Sequence, residues 1–213
     1  ATSKAKALVR GAVAKARLLE SLETSKIPVT PKALVIGGGI AGIQASIELA
    51  EQGHKVYLLE KSPSIGGRMA QLDKTFPTGD CATCIISPKL VSCMRDLNIE
   101  VFTMTTLEKI RGEAGNFTAT LSQKPRYIDI EKCTACGDCT DACPVNIPST
   151  FDLGLGTRKA IDKLYPQVAP NAVYISKKHR APCSSSCPID TSVQGYIALI
   201  AAGRKSARAI WAD

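Results

Sequence analysis

The sequence lacks the long apolar run that a membrane-spanning helix requires. Its 213 residues contain no stretch of about 18 uninterrupted apolar residues, so we expect no membrane span and a soluble, cytoplasmic chain. Aromatic residues are scarce as well, at 5%, which argues against a large aromatic core. An apolar fraction of 45% nevertheless excludes a disordered chain, and the sequence therefore predicts a folded protein.

The middle of the chain lacks a net charge, because its acidic and basic residues nearly balance, although the whole sequence carries +8. Residues 1–32 hold seven Lys or Arg against two acidic residues, and residues 177–213 hold six against two. A nucleic-acid-binding domain needs a continuous basic face, so we expect no nucleic-acid partner and instead an acidic partner docked at the ends.

The sequence also lacks an initial Met and a cap after its last helical pattern, from which we expect a piece of a longer chain.

The first half of the chain carries a dinucleotide-binding pattern. Its predicted elements are a basic amphipathic helix over 5–24, a buried strand over 32–36, a helix over 43–51 and a second strand over 55–59. The run Gly37-x-Gly39-x-x-Gly42 joins the first strand to its helix, and Glu60 ends the second strand. This order predicts a Rossmann-like α/β fold.

The three glycines have separate physical roles. Gly37 makes the tight turn, Gly39 lets the backbone approach a pyrophosphate, and Gly42 lets the helix pack closely on the strand. Glu60 is placed to accept hydrogen bonds from an adenosine ribose and to repel a 2′-phosphate, which favours FAD or NAD over NADP. The alternative is a glycine-rich turn in an α/β domain that binds no nucleotide.

The strongest chemical signal is the run Cys133-x-x-Cys136-x-x-Cys139-x-x-x-Cys143-Pro144. Four thiolates at this spacing are typical of a 4Fe–4S cluster, and the short loop directs backbone N–H groups at the cluster sulfurs. Zinc sites usually space two pairs of ligands across a longer gap, and a disulfide framework is not expected inside a dinucleotide fold. The sequence therefore predicts a ferredoxin-like cluster at these four cysteines.

A second cluster is suggested downstream, because the fourth cysteine of such a run binds the other cluster in two-cluster ferredoxins. Cys183-x-x-x-Cys187-Pro188 supplies two cysteines where a full repeat has four. Either Cys93 or residues beyond Asp213 complete that site, or the chain holds one cluster. The alternative for Cys183 and Cys187 is a pair of surface thiols.

Cys81 and Cys84 precede a helix that Ser87-Pro88 is predicted to begin, where the helix dipole lowers thiol pKa values. Three interpretations of this pair remain open: cluster ligands, a redox dithiol, or inert buried thiols. Cys93 lies on the apolar face of the same predicted helix and is interpreted as a core residue. His54 and His179 have no partner pattern and are interpreted as structural or surface residues.

Further motifs extend this pattern along the chain. They are Val35–Gly42, Gly66-Gly67-Arg68-Met69, Thr75–Thr78, Asp80–Lys89, the four-cysteine run and Phe151–Ala160. Glu60 followed by Gly66-Gly67 resembles the first motif of the glutathione and thioredoxin reductase superfamily of flavoproteins. As a set, the motifs resemble those of the flavin-containing A-type subunit of heterodisulfide reductase. Residues 183–203 look instead like the helical iron–sulfur domain of the glutamate synthase small subunit.

The resemblance implies an α/β fold: an incomplete Rossmann-like FAD-binding domain of the thioredoxin/glutathione reductase type, with an inserted ferredoxin-like 4Fe–4S domain. The implied segments are a basic helix and linker over 1–31, the first part of the FAD domain over 32–131, the ferredoxin-like insert over 132–180 and the start of a helical iron–sulfur region over 181–213. The candidate cofactor contacts are Gly37, Gly39, Ile40, Ala41, Gly42, Glu60, Lys61, Gly67 and Arg68. The candidate metal ligands are Cys133, Cys136, Cys139, Cys143, Cys183 and Cys187, and the candidate catalytic residues are Cys81 and Cys84.

The implied activity is that of an oxidoreductase subunit. FAD would split electron pairs into 4Fe–4S clusters by flavin-based electron bifurcation. The implied partners are other redox subunits of a multi-subunit complex: hydrogenase, formate dehydrogenase or NAD(P)H-oxidising subunits, and ferredoxin. Two alternatives are a non-catalytic scaffold fragment and a glutamate-synthase-like NAD(P)H oxidoreductase subunit.

Overall fold

The computed structural model describes residues 2–22, 24, 26–177, 182–189 and 191–201. The basic amphipathic helix is α1 (Thr2–Arg17), which ends before the predicted residue 24. None of its residues is buried, so α1 lacks the tertiary contacts that stabilise most helices in proteins. Among the described residues, no helix combines the length and apolarity needed to span a membrane.

A parallel three-stranded sheet forms the centre of the fold. Its strands are β1 (Lys32–Ile36), β2 (Lys55–Leu59) and β3 (Ile99–Phe102). They lie in the order β1–β2–β3, with Ile36 opposite Leu59 and Leu59 opposite Phe102. The two predicted strands of the dinucleotide pattern are confirmed. Because the three strands run in the same direction, their carboxyl ends form a single edge, where Gly37 and Glu60 follow β1 and β2.

Two helices cover one face of this sheet. They are α2 (Ile40–Glu51) and α3 (Ala82–Arg95). Ile43 of α2 and Leu58 of β2 are fully buried, and Ile86 of α3 joins the same apolar cluster. The predicted helix over 43–51 is confirmed, and it begins three residues earlier because Gly39 is its N-cap.

The predicted helix start at Ser87-Pro88 is wrong. The helix begins at Ala82, Cys81 is its N-cap, and Pro88 lies inside it. The buried residues of α3 are Ala82, Ile86, Leu90 and Cys93, which recur at steps of three and four. Burial of this stripe against the sheet outweighs the hydrogen bond that Pro88 removes from the helix interior.

In the described part of the chain, the second face of the sheet carries no helix and faces a β-hairpin. The hairpin consists of β4 (Thr105–Glu113) and β5 (Asn116–Gln123), which form a separate antiparallel sheet. A groove of about 730 Å³ lies between them, lined by Leu34 and Tyr57 of the parallel sheet and by Phe117 of the hairpin. Alternation of apolar and polar residues predicts strands over 117–121 and 127–130. The first is confirmed as part of β5, whereas 127–130 forms no strand.

The rest of the described chain forms short elements. These are α4 (Asp138–Asp141), β6 (Asn146–Pro148), β7 (Thr157–Lys159), β8 (Ile161–Asp162), β9 (Tyr174–Ile175), α5 (Pro182–Ser185) and α6 (Val193–Ala201). Strands β6 and β7 pair, as do β8 and β9, both antiparallel. The sequence also predicts a final helix over 192–202, which is confirmed as α6, with Ala202 outside the described residues.

The segment that precedes β9 returns to the Rossmann-like core. Ala169 forms an antiparallel bridge with Ile65, and Val168, Ala172 and Val173 are buried. This part of the predicted ferredoxin-like insert therefore packs beside the edge that carries Glu60. The boundary predicted at residue 180 stays a prediction.

Candidate functional site

The glycine loop between β1 and α2 is held by close backbone packing. Gly37 has a φ of +103°, a conformation that side chains rarely allow. A Cβ atom added to Gly42 would lie 1.9 Å from the carbonyl oxygen of Gly37, whereas one added to Gly39 would meet nothing within 4 Å. Gly42 therefore serves the packing of helix on strand, and Gly39 faces the open space that a pyrophosphate group requires.

The N-terminus of α2 is left free to bind an anion. Gly39 is an extended N-cap without a side-chain hydrogen bond, and the first turn contains no acidic residue. Among the described residues, no hydrogen-bond acceptor is recorded for the backbone N–H groups of Ile40 and Ala41. Such N–H groups and the helix dipole favour phosphate at this position. These residues fit the dinucleotide site predicted for them.

Glu60 ties the loop to the end of β2. Its Oε2 accepts the N–H of Gly38 at 2.8 Å, and its Oε1 accepts the N–H of Ser62 at 2.8 Å. The residue is 8% exposed. Each carboxylate oxygen can accept a second hydrogen bond, so Glu60 can also receive the hydroxyls of a ribose. Sequence reasoning assigned only this second role.

The paired glycines lie directly against the glycine loop. The N–H of Gly66 donates to the carbonyl of Gly38 at 2.6 Å, and a Cβ on Gly67 would lie 2.9 Å from the Cα of Gly39. Both have positive φ angles, +125° and +55°. A short 3₁₀ helix, Gly67–Gln71, follows. The structure thus brings the two predicted glycine motifs together.

The two predicted cations of this site are exposed. Arg68 Nη1 donates to Gln71 Oε1 at 3.2 Å, and Lys61 follows Glu60 at the surface. Neither forms an ion pair among the described residues, where the pairs are Lys55–Glu100 and Lys132–Asp129. Their roles as cofactor contacts stay predictions.

Tyr165 is a site residue that sequence reasoning missed. Its hydroxyl donates to the carbonyl of Ile65, and it would lie 2.6 Å from a Cβ on Gly66. Its ring stacks on Phe151 with centroids 5.3 Å apart. Burial raises the pKa of Tyr165, so it stays a neutral donor. Tyr165 lies 100 residues from Ile65 in the sequence, so no local sequence pattern could predict that contact.

Arg126 is a second missed residue, and it clamps three segments. Its Nη1 donates to the carbonyls of Ala172 and Val173 at 3.5 and 3.2 Å, and its Nη2 donates to Thr103 Oγ1 at 2.9 Å and to the carbonyl of Pro63. The side chain is 8% exposed. Arg126 thus holds two parts of the chain against the carboxyl edge of the sheet. One is the start of the cysteine-bearing segment (residues 126–143), and the other is the segment 168–173 that returns to the core.

The charge of Arg126 has no carboxylate partner among the described residues. Burial lowers the pKa of its guanidinium, and the thiol of Cys133 and the phenol of Tyr174 oppose that shift. An arginine side chain nevertheless stays protonated in proteins. An anionic group near Cys133 would therefore stabilise this buried cation.

The four predicted ligands lie in an open segment. Cys136 and Cys139 are exposed, and Cys133 and Cys143 are half-buried. Their thiols do not converge: no three His, Cys, Asp or Glu side chains in the described part of the chain form a group that could hold a metal ion. Cluster ligation at these residues rests on their spacing and stays a prediction.

The backbone of this segment nevertheless suits a cluster. Ala135 and Gly137 have φ angles of +56° and +102°, which turn the chain between the cysteines. Within the described residues, no acceptor is recorded for the N–H groups of 134–139. Hydrogen bonds from backbone N–H groups to cluster sulfurs are a normal part of such sites. The donor set and these N–H groups fit a 4Fe–4S cluster.

Four of the five remaining cysteines lie at or next to two helices, and the fifth, Cys93, is buried inside α3. Cys81 is the N-cap of α3, and its Sγ accepts the N–H of Cys84 at 3.3 Å. Both are exposed, which excludes the interpretation as buried thiols. Cys183 lies in α5, and Cys187 follows that helix, its N–H donating to the carbonyl of Ser184 at 3.3 Å. The assignment of Cys183 and Cys187 to a second cluster stays a prediction, and His179 lies outside the described residues.

Two family models match parts of the chain. Residues 35–87 match an NAD(P)-binding Rossmann-like domain, and residues 126–149 match a 4Fe–4S binding domain. The predicted fold class, Rossmann-like α/β with a ferredoxin-like insert, is confirmed. The cluster match begins at Arg126, the residue that fixes this segment to the core.

Curated relatives match most of the chain. The A-type iron–sulfur subunit 2 of CoB–CoM heterodisulfide reductase from Methanopyrus kandleri is 57% identical over 175 residues, which are 82% of this chain and 27% of that protein. The A-type subunit of H2:CoB–CoM heterodisulfide, ferredoxin reductase from Methanothermobacter marburgensis is 54% identical over 183 residues, covering 86% of this chain and 28% of its own length. The chain thus spans about a quarter of the length of these relatives.

Solved structures match a smaller part of the chain. The L-proline dehydrogenase from P. horikoshii is 23% identical and covers 48% of this chain and 21% of its own, with a TM-score of 0.38. That likeness is too partial to bear on function. The resemblance inferred from the motifs is confirmed by the curated relatives instead.

Proposed function

The chain is homologous to the A-type subunit of heterodisulfide reductase over about four-fifths of its length, and we propose that it is an electron-transfer part of such an oxidoreductase. In this proposal FAD occupies the glycine loop and a 4Fe–4S cluster occupies the cysteine-bearing segment. The observation that carries the proposal is the Arg126 clamp. It joins the start of the 4Fe–4S binding domain to the edge of the sheet where the glycine loop and Glu60 lie.

The residues at the sheet edge favour FAD over a 2′-phosphorylated nucleotide. The carboxylate of Glu60 lies at the end of β2, and it accepts N–H groups from both Gly38 and Ser62. These two hydrogen bonds hold a negative charge where a 2′-phosphate would have to lie, and like charges repel there. The N–H groups of Ile40 and Ala41 would hold the pyrophosphate at the start of α2.

A bound flavin would exchange electrons in pairs or singly, whereas a 4Fe–4S cluster passes one electron at a time. Contacts around the glycine loop and at Arg126 support this pairing of sites. Gly66 and Gly67 close on the glycine loop, and Tyr165 packs behind Gly66. The guanidinium of Arg126 adds a buried positive charge on the Cys133 side of that edge, which stabilises negative charge there.

Electron bifurcation is the specific form of electron transfer that we propose. A complex of redox subunits would deliver an electron pair and receive single electrons at different potentials. We expect hydrogenase, formate dehydrogenase or NAD(P)H-oxidising subunits as donors, and ferredoxin among the acceptors. Support comes from the names of two relatives, which combine heterodisulfide and ferredoxin as substrates of their own complexes.

The test is an absorbance spectrum, with iron and flavin analysis, of the anaerobically purified protein. We expect flavin bands, broad cluster absorbance and about four irons for the cluster at Cys133–Cys143. Absence of both cofactors after reconstitution would contradict the proposal and favour a scaffold. Direct hydride uptake from NAD(P)H by this chain alone would favour a glutamate-synthase-like oxidoreductase instead.

A further inference from the structure

Two thiols lie at the N-terminus of α3, in a part of the sequence outside the glycine loop and the cysteine-bearing segment. Cys81 has an extended backbone (φ −65°, ψ 114°), and the N–H of Cys84 donates to its Sγ at 3.3 Å. Helical geometry places residues three apart at a Cα separation of about 5 Å, and disulfides span about 4.4–6.8 Å between Cα atoms. Both cysteines are exposed, so a reagent in solution can reach them.

The surroundings of the two thiols make them chemically unequal. The pKa of Cys81 is lowered, first by its hydrogen bond with the Cys84 side chain and then by the backbone of Cys84. The same side-chain hydrogen bond raises the pKa of Cys84. Asp73 opposes the shift at Cys81 and is the smallest of the effects on it, while Lys74 pairs with Cys81 in an antiparallel bridge. The first turn of α3 contains no acidic residue.

Cys93, on the same helix, has the opposite environment. It is fully buried, and desolvation raises its pKa to about 11. A thiol of this kind is almost entirely protonated at neutral pH, and the thiolate is the reactive form. Cys93 is therefore an internal reference for an unreactive cysteine.

The Cys81 and Cys84 motif differs from the four-cysteine run in its number of thiols. Iron–sulfur clusters and structural zinc sites normally take four protein ligands, and the Cys81-x-x-Cys84 motif supplies two. Two thiols, one at the N-cap and one in the first turn, are sufficient for a reversible disulfide. The geometry therefore favours the dithiol among the interpretations that the sequence left open.

We propose that Cys81 and Cys84 form a redox-active dithiol that exchanges with an external disulfide. The thiolate of Cys81 attacks one sulfur of the external disulfide, which breaks its S–S bond, forms a mixed disulfide and releases the first thiol. Cys84 then loses its proton to solvent and attacks Cys81 Sγ, which releases the second thiol. The two protein thiols lose two electrons and two protons, and the external disulfide gains them. This reaction requires neither flavin nor cluster.

The test uses the anaerobically purified protein with its clusters in place, equilibrated with glutathione and glutathione disulfide in graded ratios. Free thiols are then alkylated and located by peptide mass spectrometry. We expect Cys81 and Cys84 to become protected together along a two-electron curve, while Cys93 forms neither a disulfide nor a glutathione adduct. In Cys84→Ser a glutathione adduct should accumulate at Cys81, because no second thiol remains to release it.

Cys81→Ser is also the variant that separates the dithiol from a cluster site. Serine is a good N-cap residue, so α3 should keep its start, which circular dichroism can verify. We expect iron content and cluster absorbance to stay unchanged in this variant. Loss of iron would overturn the proposal and identify Cys81 as a cluster ligand. Independent alkylation of both cysteines at every glutathione ratio would also overturn it.

Discussion

The glycine-loop site and the cysteine-bearing segment are built by opposite means. The first rests on backbone packing: Gly42 lies against Gly37, Gly67 against Gly39, and a buried carboxylate cross-links the loop to β2. The second consists of short elements, and two of its four cysteines are exposed. In the described part of the chain, these four residues do not come together as a ligand group. Protein contacts alone form the first site, whereas we expect the second to reach its final geometry only when the proposed cluster binds.

Substitution of the loop glycines should produce the largest effect and sharpen this comparison. In Gly42→Ala the new Cβ would lie 1.9 Å from the carbonyl oxygen of Gly37, so we expect a loss of about 3–5 kcal/mol in the free energy of unfolding. Gly39→Ala meets no atom within 4 Å and has an ordinary φ of −78°. It should keep the fold and weaken flavin retention. Denaturant unfolding and flavin content measure the two outcomes, and equal destabilisation by both variants would contradict this division of roles.

Removal of one cluster ligand should act on the other region alone. Cys136→Ala is expected to lose roughly four irons per chain and to leave the flavin in place, because Cys136 is exposed and distant in sequence from the glycine loop. Thr134→Ala, at an exposed position of the same segment, is the matched control. Iron analysis and the flavin spectrum check both variants. Flavin loss in Cys136→Ala would show that the two regions do not fold independently.

Arg126 is the connection between the regions, and its substitution should loosen both. Arg126→Met leaves its acceptors without their donor, so we expect a loss of about 2–3 kcal/mol in the free energy of unfolding and faster amide exchange over 168–174. Arg126→Lys keeps the charge without the planar set of donors and should lie in between. The exposed Arg111, changed to Met, is the control. An unchanged exchange rate in Arg126→Met would refute the clamp.

Glu60→Gln should have the smallest effect. The amide can accept one of the two backbone N–H groups, but its NH2 group faces the other. We expect about tenfold weaker FAD retention with the iron content unchanged. Equilibrium dialysis against FAD and iron analysis give the two readings. Parallel loss of iron and flavin would indicate a folding defect and not a binding role.

Local sequence signals predicted the elements around the glycine loop well, because short-range contacts define them. The strands 32–36 and 55–59 have the predicted bounds, since apolar runs bounded by glycine and charge have few alternatives. The start of α3 was predicted wrongly at Pro88, because local propensity was given more weight than the buried stripe of Ala82, Ile86 and Leu90. The segment 127–130 alternates like a strand but has no partner strand among the described residues.

The sequence by itself determined the chemistry: three glycines and one acid at dinucleotide spacing, and four cysteines at cluster spacing. Those patterns are local, since each motif lies within about 25 consecutive residues. Tertiary structure alone decided that Arg126 and Tyr165 belong to the same edge of the sheet as Glu60, and that Cys81 is a helix N-cap. The contacts of Arg126 and Tyr165 join residues as far as 100 positions apart, and only packing of the buried core brings such residues together.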